Sequence, residues 1–143
     1  MTDHDDLWLY NVTGRNWNRF SLYEVYPKIE GAVRGGVKCP RNYTWFFKGK
    51  KVWAYDNYNL VSGYPKLVKD PLFPSNPWTA VNKNGIIYVL KGSFAYEFDT
   101  VKLAIVGNHP GYLKKVFPGL PDWVESAVKY NEQHYMFKDK WYF

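Results

Sequence analysis

Trp45-Phe46-Phe47-Lys48-Gly49 comes back as Tyr88-Val89-Leu90-Lys91-Gly92 and again as Tyr135-Met136-Phe137-Lys138-Asp139. Lys48 and Lys91 lie 43 residues apart, and Lys91 and Lys138 lie 47 apart. A period of this size marks stacked supersecondary units, none able to bury its apolar face alone. Each run is a short aromatic stretch, and in the first two a Lys-Gly ends it, where Gly supplies the positive φ of a tight turn, which predicts the first strand of a β-hairpin.

Working outward, each run is preceded by a short segment with small residues before valine. These are Ile29-Glu30-Gly31-Ala32-Val33, Pro77-Trp78-Thr79-Ala80-Val81 and Val124-Glu125-Ser126-Ala127-Val128. A polar turn such as Asn82-Lys83-Asn84-Gly85 separates segment from run. After the run comes an answering strand, Val52-Trp53-Ala54-Tyr55-Asp56 or Ala95-Tyr96-Glu97-Phe98-Asp99, which stops at a turn-forming Asp. Tyr26-Pro27-Lys28, Tyr64-Pro65-Lys66 and the degenerate Tyr112-Leu113-Lys114 are aligned as the closing segment of the unit. Pro-rich connectors follow, Pro71 to Pro77 and Phe117 to Pro121, because Pro cannot join a central ladder. Arg34 to Asn42 is expected to be an extra loop.

The small residues make sense if their strands crowd a common axis, as the inner strands of a β-propeller do. The expectation is an all-β, four-bladed propeller in one domain, residues 1–143. Its parts are a partial blade at 7–28, complete blades at 29–76 and 77–123, and a partial blade at 124–143. The alternative has three blades, with the N-terminal strands completing the C-terminal unit.

Composition agrees. Aromatic residues make up 20% of the 143, which suits pleated, half-buried surfaces. The 9 Pro and 11 Gly are spaced as turn markers. The formal charge is +6 and the pI is about 9.3, but the cations are scattered over strand ends and loops. This favours solvated lysines over a nucleic-acid groove, so no nucleic-acid partner is expected. Cys39 stands alone, which rules out an internal disulfide. No stretch reaches the length of a membrane span, and Met1 to Asp6 is too polar for a secretory signal.

Catalytic motifs are missing. The sequence holds no His-Glu-x-x-His, no Gly-x-Ser-x-Gly and no phosphate-binding Gly loop. His4, His109 and His134 are far apart in sequence. The sequons Asn11-Val12-Thr13 and Asn42-Tyr43-Thr44 weakly favour a secreted origin.

Phe46-Phe47-Lys48-Gly49 through Asp56, with Gly63-Tyr64-Pro65-Lys66 and Phe117-Pro118-Gly119-Leu120-Pro121, resembles the hemopexin-like repeat. The likeness runs from about Leu7 to Phe143 and is weak before Tyr26. It implies the four-bladed propeller of matrix metalloproteinase C-terminal domains, vitronectin, hemopexin and legume seed albumins. It also implies a noncatalytic, extracellular binding module for a protein or matrix component. A channel ion, Ca²⁺ or Na⁺ with chloride, would be held by backbone groups. By position the carbonyls are those of Glu30, Ala32, Trp78, Ala80, Glu125 and Ala127, although Trp78 departs from the acidic residue usual there. Haem carriers of the family point to His109 as a candidate haem ligand, so a small-ligand carrier of haem, polyamine or metal is the alternative function. Tyr58, Tyr64 and Lys66 are candidate interface residues, since aromatics beside cations anchor interfaces. Trp53 is expected to pack between blades. Unpaired edges of the terminal units would favour a homo-oligomer.

Overall fold

Short aromatic and β-branched runs, separated by turns rich in Gly and Asn, form antiparallel hairpins gathered in four sheets. The structure, a computed structural model, describes residues 6–11, 14–30, 34–38, 43–107, 110–120, 126–130, 133–138 and 141–142. The first sheet pairs β1 (Asp6–Asn11) with β2 (Asn16–Ser21) and leads into the one-turn helix α1 (Leu22–Val25). The second has the order β3 (Arg34–Lys38), β4 (Tyr43–Lys48), β5 (Lys51–Asp56), β6 (Asn59–Leu60), with β7 (Lys66–Leu67) also on β5. The third repeats this with β8 (Thr79–Lys83), β9 (Ile86–Lys91), β10 (Phe94–Asp99), β11 (Ala104–Ile105) and β12 (Gly111–Tyr112), followed by α2 (Leu113–Val116). The fourth holds β13 (Ser126–Tyr130), β14 (Gln133–Lys138) and β15 (Trp141–Tyr142).

The fold is therefore the expected all-β propeller, and its four sheets are its blades. Among the described residues β1 and β2 pair with each other and not with the last sheet, which is the four-bladed and not the three-bladed arrangement. Inner strand β8 lies between β3 and β13, so the small-residue strands do converge.

The register corrects one inner strand. Val37, Val81 and Val128 face Trp45, Tyr88 and Tyr135 in their ladders. Gly36, Ala80 and Ala127 are thus equivalent, and the second sheet's inner strand is Arg34–Lys38, not Ile29–Val33. The expected loop from Arg34 begins with that strand. A register shift between Arg34 and Val37 adds one residue there, the two-against-one arrangement of a β-bulge.

The closing segments need a second correction. Lys66 and Leu67 pair with Val52 and Lys51, and Gly111 and Tyr112 pair with Ala95 and Phe94. The next N–H, of Val68 or Leu113, donates to Lys50 O or Ser93 O, at 2.8 Å in both. So Lys66-Leu67-Val68 matches Gly111-Tyr112-Leu113. Tyr26-Pro27-Lys28 instead matches Phe117-Pro118-Gly119: each follows a one-turn helix, and Lys28 and Gly119 have φ of 65° and 91°.

These aromatic-Pro connectors close the gaps between blades. Tyr26 packs on Phe46 and Tyr55, at ring distances of 4.8 and 5.0 Å. Phe73 stacks on Phe47 at 6.1 Å and meets Phe98 edge-on at 5.6 Å. Phe117 meets Tyr88 at 5.9 Å. The largest core cluster joins Trp45, Phe47, Val52 and Ala54 of the second blade to Ala80, Ile87, Val89 and Phe98 of the third. Each such large apolar side chain is worth about 1.5–3 kcal/mol when fully buried, so blade contact rather than any single hairpin holds the wheel.

Candidate functional site

The strand β4 shows how one hairpin serves two sides. Trp45 and Phe47 face the third blade, whereas Phe46 faces Ile29, Trp53 and Tyr55 on the other side. Trp53 is fully buried, and its indole N–H donates to Lys28 O at 3.3 Å. It packs between blades as expected and is no interface residue.

The same two-sidedness divides the three interface candidates. Tyr58 is 61% exposed and its ring lies 5.6 Å from Tyr26, on the Tyr55 side. Tyr64 belongs to the opposite side, 5.8 Å from Trp45 and edge-on to it. The Lys66 ammonium sits 4.7 Å over the Tyr64 ring. Tyr64 and Lys66 therefore come together, and Tyr58 does not join them.

Tyr64 and Lys66 line an open groove of about 270 Å³ between the outer edges of the second and third blades. Tyr43 and Trp45 of β4 form part of its wall, with their rings 6.1 Å apart. Thr100 and Val101 reach in from the third blade. They can do so because the turn after β10 is longer than its counterpart. Asp56 pairs with Asn59 across the earlier turn, but Asp99 pairs with Ala104 across the later one. Asp99 organises that turn, since its Oδ1 accepts the N–H groups of Val101 and Lys102 at 2.8 and 3.0 Å. Those bonds hold the Asp99 carboxyl below its ordinary range.

Trp45 is only 3% exposed, and its indole N–H has no hydrogen-bond partner among the described residues. A buried donor left without an acceptor costs about 1–3 kcal/mol. Sequence reading missed Tyr43, Trp45, Thr100 and Val101. The alternation Tyr43-x-Trp45 and the longer turn after Asp99 were the available signals.

The channel candidates are placed unevenly. Ala80 pairs with Val89 and Ala127 with Met136, in equivalent register on inner strands. Trp78 donates its N–H to Leu90 O at 2.9 Å, just ahead of β8. The Glu30 carboxylate is engaged by Lys51 at 2.7 Å and by Lys48 at 3.7 Å. Ala32, Glu125 and His109 lie outside the described residues, as does Cys39. Among the described residues, no group of three or more His, Cys, Asp and Glu stands ready to hold a metal. No described helix is long and apolar enough to cross a membrane.

Comparison with known proteins gives the same family as the repeat. The Hemopexin family profile matches residues 39–75. Vitronectin of Sus scrofa is 31% identical over 101 residues, covering 68% of this chain and 22% of that protein. Neutrophil collagenase of Homo sapiens is 24% identical over 130 residues, covering 88% of this chain and 27% of the collagenase. Matrix metalloproteinase-18 of Xenopus laevis is 27% identical over 96 residues, with 64% and 21% covered. The chain thus spans only about a quarter of the length of these relatives. Among solved structures, a hemopexin-fold protein from cow pea aligns with TM-score 0.68 at 14% identity, covering 87% of this chain and 67% of that one. A plant lectin with two metal binding sites from Cicer arietinum aligns at TM-score 0.67 and 16% identity, covering 99% and 81%. Such low identities carry the fold alone. Repeat, blade architecture and matched relatives agree, and the chain belongs to the hemopexin-like repeat family.

Proposed function

We propose that this chain is a noncatalytic recognition module that binds a protein or matrix component outside the cell. The observation that carries the reading is the groove where Tyr43, Trp45, Tyr64 and Lys66 of one blade meet Thr100 and Val101 of the next. Strand β4 presents Tyr43 and Trp45, the turn before β7 presents Tyr64, and the exposed Lys66 ammonium stands beside them, a combination enriched at binding surfaces. The relatives support the setting, since a vitronectin and matrix metalloproteinases carry similar repeats. A channel cation belongs to the same proposal, with Ala80 and Ala127 as the matched carbonyl positions.

Solid-phase binding of the chain to an extracellular-matrix extract, and to its separated protein and glycan fractions, tests the reading. Saturable binding that Tyr64→Ala or Lys66→Ala weakens is expected. Absence of binding to every fraction would overturn it. Ca²⁺ titration by calorimetry tests the channel cation independently, and an unchanged heat signal and melting temperature would remove it.

A further inference from the structure

We infer that Tyr26 and Tyr58 form an oxidative cross-linking site, which a haem peroxidase with hydrogen peroxide converts into an intrachain dityrosine. The two rings lie 5.6 Å apart and are tilted by 53°. They belong to separate parts of the fold. Tyr26 follows α1 in the first connector, and Tyr58 lies in the turn between β5 and β6 of the second blade.

Tyr58 is 61% exposed, so an oxidant reaches its phenol directly. Exposed side chains reorient in picoseconds to nanoseconds, which lets this ring search against a fixed partner. Tyr26 is that partner. It is half-buried and held edge-on by Phe46 at 4.8 Å and Tyr55 at 5.0 Å. Tyr55 is nearer to Tyr26 but is not the reacting ring. It is fully buried and its hydroxyl is engaged by Pro27 O, and a close-packed interior leaves it no room to turn.

Each phenol gives up one electron and one proton to become a phenoxyl radical. Hydrogen peroxide takes both electrons and both protons and becomes two waters. The radicals couple by forming a bond between ring carbons ortho to the oxygens. The proton on each of those carbons then moves to that ring's oxygen, which restores both aromatic rings and both phenols. The product has lost two hydrogens in all. The new bond fastens the first connector to the second blade. A covalent loop restricts the unfolded chain, as a disulfide does, so the linked form resists unfolding better.

The test exposes the dilute chain to a haem peroxidase and hydrogen peroxide. Dityrosine fluorescence should appear with a monomer mass lower by two hydrogens, in a yield that dilution leaves unchanged. Trypsin should release residues 20–28 joined to 52–66. Tyr58→Phe and Tyr26→Phe should each reduce this product to background. Tyr112→Phe, exposed on the third blade, should leave it intact. The linked monomer should melt above the parent. Dityrosine found only in covalent dimers, or an intrachain product that survives Tyr58→Phe, overturns the inference. So does a linked monomer that melts no higher than the parent. Phe keeps an aromatic ring at each position, and circular dichroism of each variant confirms that the fold survives.

Discussion

Asp70 reaches from the second blade to the third: its Oδ2 accepts the backbone N–H of Ile105 at 2.8 Å. Its other oxygen accepts the N–H of Leu72 at 2.9 Å, so one carboxylate shapes its own turn and satisfies the outer strand of the next blade. Ile105 is buried against Trp45, Phe47 and Phe98, where an unpaired N–H would be costly. Asp70→Ala leaves that N–H without its acceptor and should lower unfolding free energy by about 1–3 kcal/mol. Asp70→Asn keeps one acceptor oxygen and should lose less. Urea denaturation measures both. Equal stability of Asp70→Ala and the parent would show that water satisfies Ile105.

Tyr55 makes the corresponding tie to the first connector. Its hydroxyl donates to Pro27 O at 2.8 Å, and its ring packs on Tyr26. Burial, with the neighbouring Tyr26 adding, pushes its phenol up to about 12. A raised phenol value means the folded state holds the proton longer. The stability it contributes is complete below 10.0 and is lost as pH rises towards about 12. Alkaline titration should show a late-ionising tyrosine that Tyr55→Phe removes. Tyr55→Phe should also cost about 0.5–1.5 kcal/mol at neutral pH.

Much of this architecture is legible in the sequence, because hairpins are local. Gly49 and Gly92 take φ of 59° and 61° in the expected turns, and Asn82 holds the N–H of Gly85 as a turn residue should. The inner strand of the second blade is not legible. Gly31-Ala32-Val33 and Gly35-Gly36-Val37 both read as small residues before valine, and adjacent glycines locally suggest a loop. The ladder to Trp45 decides between them, and that is a tertiary fact. The Tyr-Pro-Lys repeats misled for a similar reason. Identical letters at Tyr26 and Tyr64 serve a connector and a strand edge, and only pairing partners tell them apart. Two residues of the candidate groove, Tyr64 and Lys66, stood out as aromatic beside cation. Tyr43 and Trp45 sit on another strand of the same blade, and Thr100 and Val101 come from the next blade, so distance in sequence hides them.

Phe47 is the ring on which two blades meet. It is fully buried, 5.5 Å from Phe98 and 6.1 Å from Phe73. Phe47→Ala should cost about 3–5 kcal/mol through lost transfer energy and the cavity left behind. Tyr58→Ala, at a position 61% exposed, should stay within about 0.5 kcal/mol of the parent. Thermal melts of the pair measure how far stability resides between blades. A mild Phe47→Ala phenotype would mean the blades hold together independently of this contact.

Glu30 gives the fold an acid-sensitive tether. The hydrogen bond from Lys51, with the charges of Lys51 and Lys48, holds its carboxyl below the ordinary 4.5. A depressed carboxyl contributes stability above its unfolded value, and that contribution is lost as pH falls through the folded value. The side chains are well exposed, so the pair is worth only about 0.2–1 kcal/mol. Glu30→Gln should therefore be slightly less stable than the parent at pH 7, and indistinguishable well below 4.5. Paired urea titrations at the two pH values read the difference.

Ala80 tests whether inner strands truly lack room. It is 3% exposed, packs in the cluster shared by the second and third blades, and lies on β8 between β3 and β13. Ala80→Leu adds three carbons where neighbouring strands leave no space, and overpacking of this kind costs about 1–3 kcal/mol. Ala80→Gly removes one methyl and loosens the strand, costing about 0.5–1 kcal/mol. The ordering, leucine worse than glycine, is what crowding around an axis requires. If inner strands stood apart, added apolar volume at Ala80 would be accommodated, and leucine would stabilise the protein where glycine destabilised it. Urea midpoints for the two variants, with unchanged denaturant slopes, separate these cases directly.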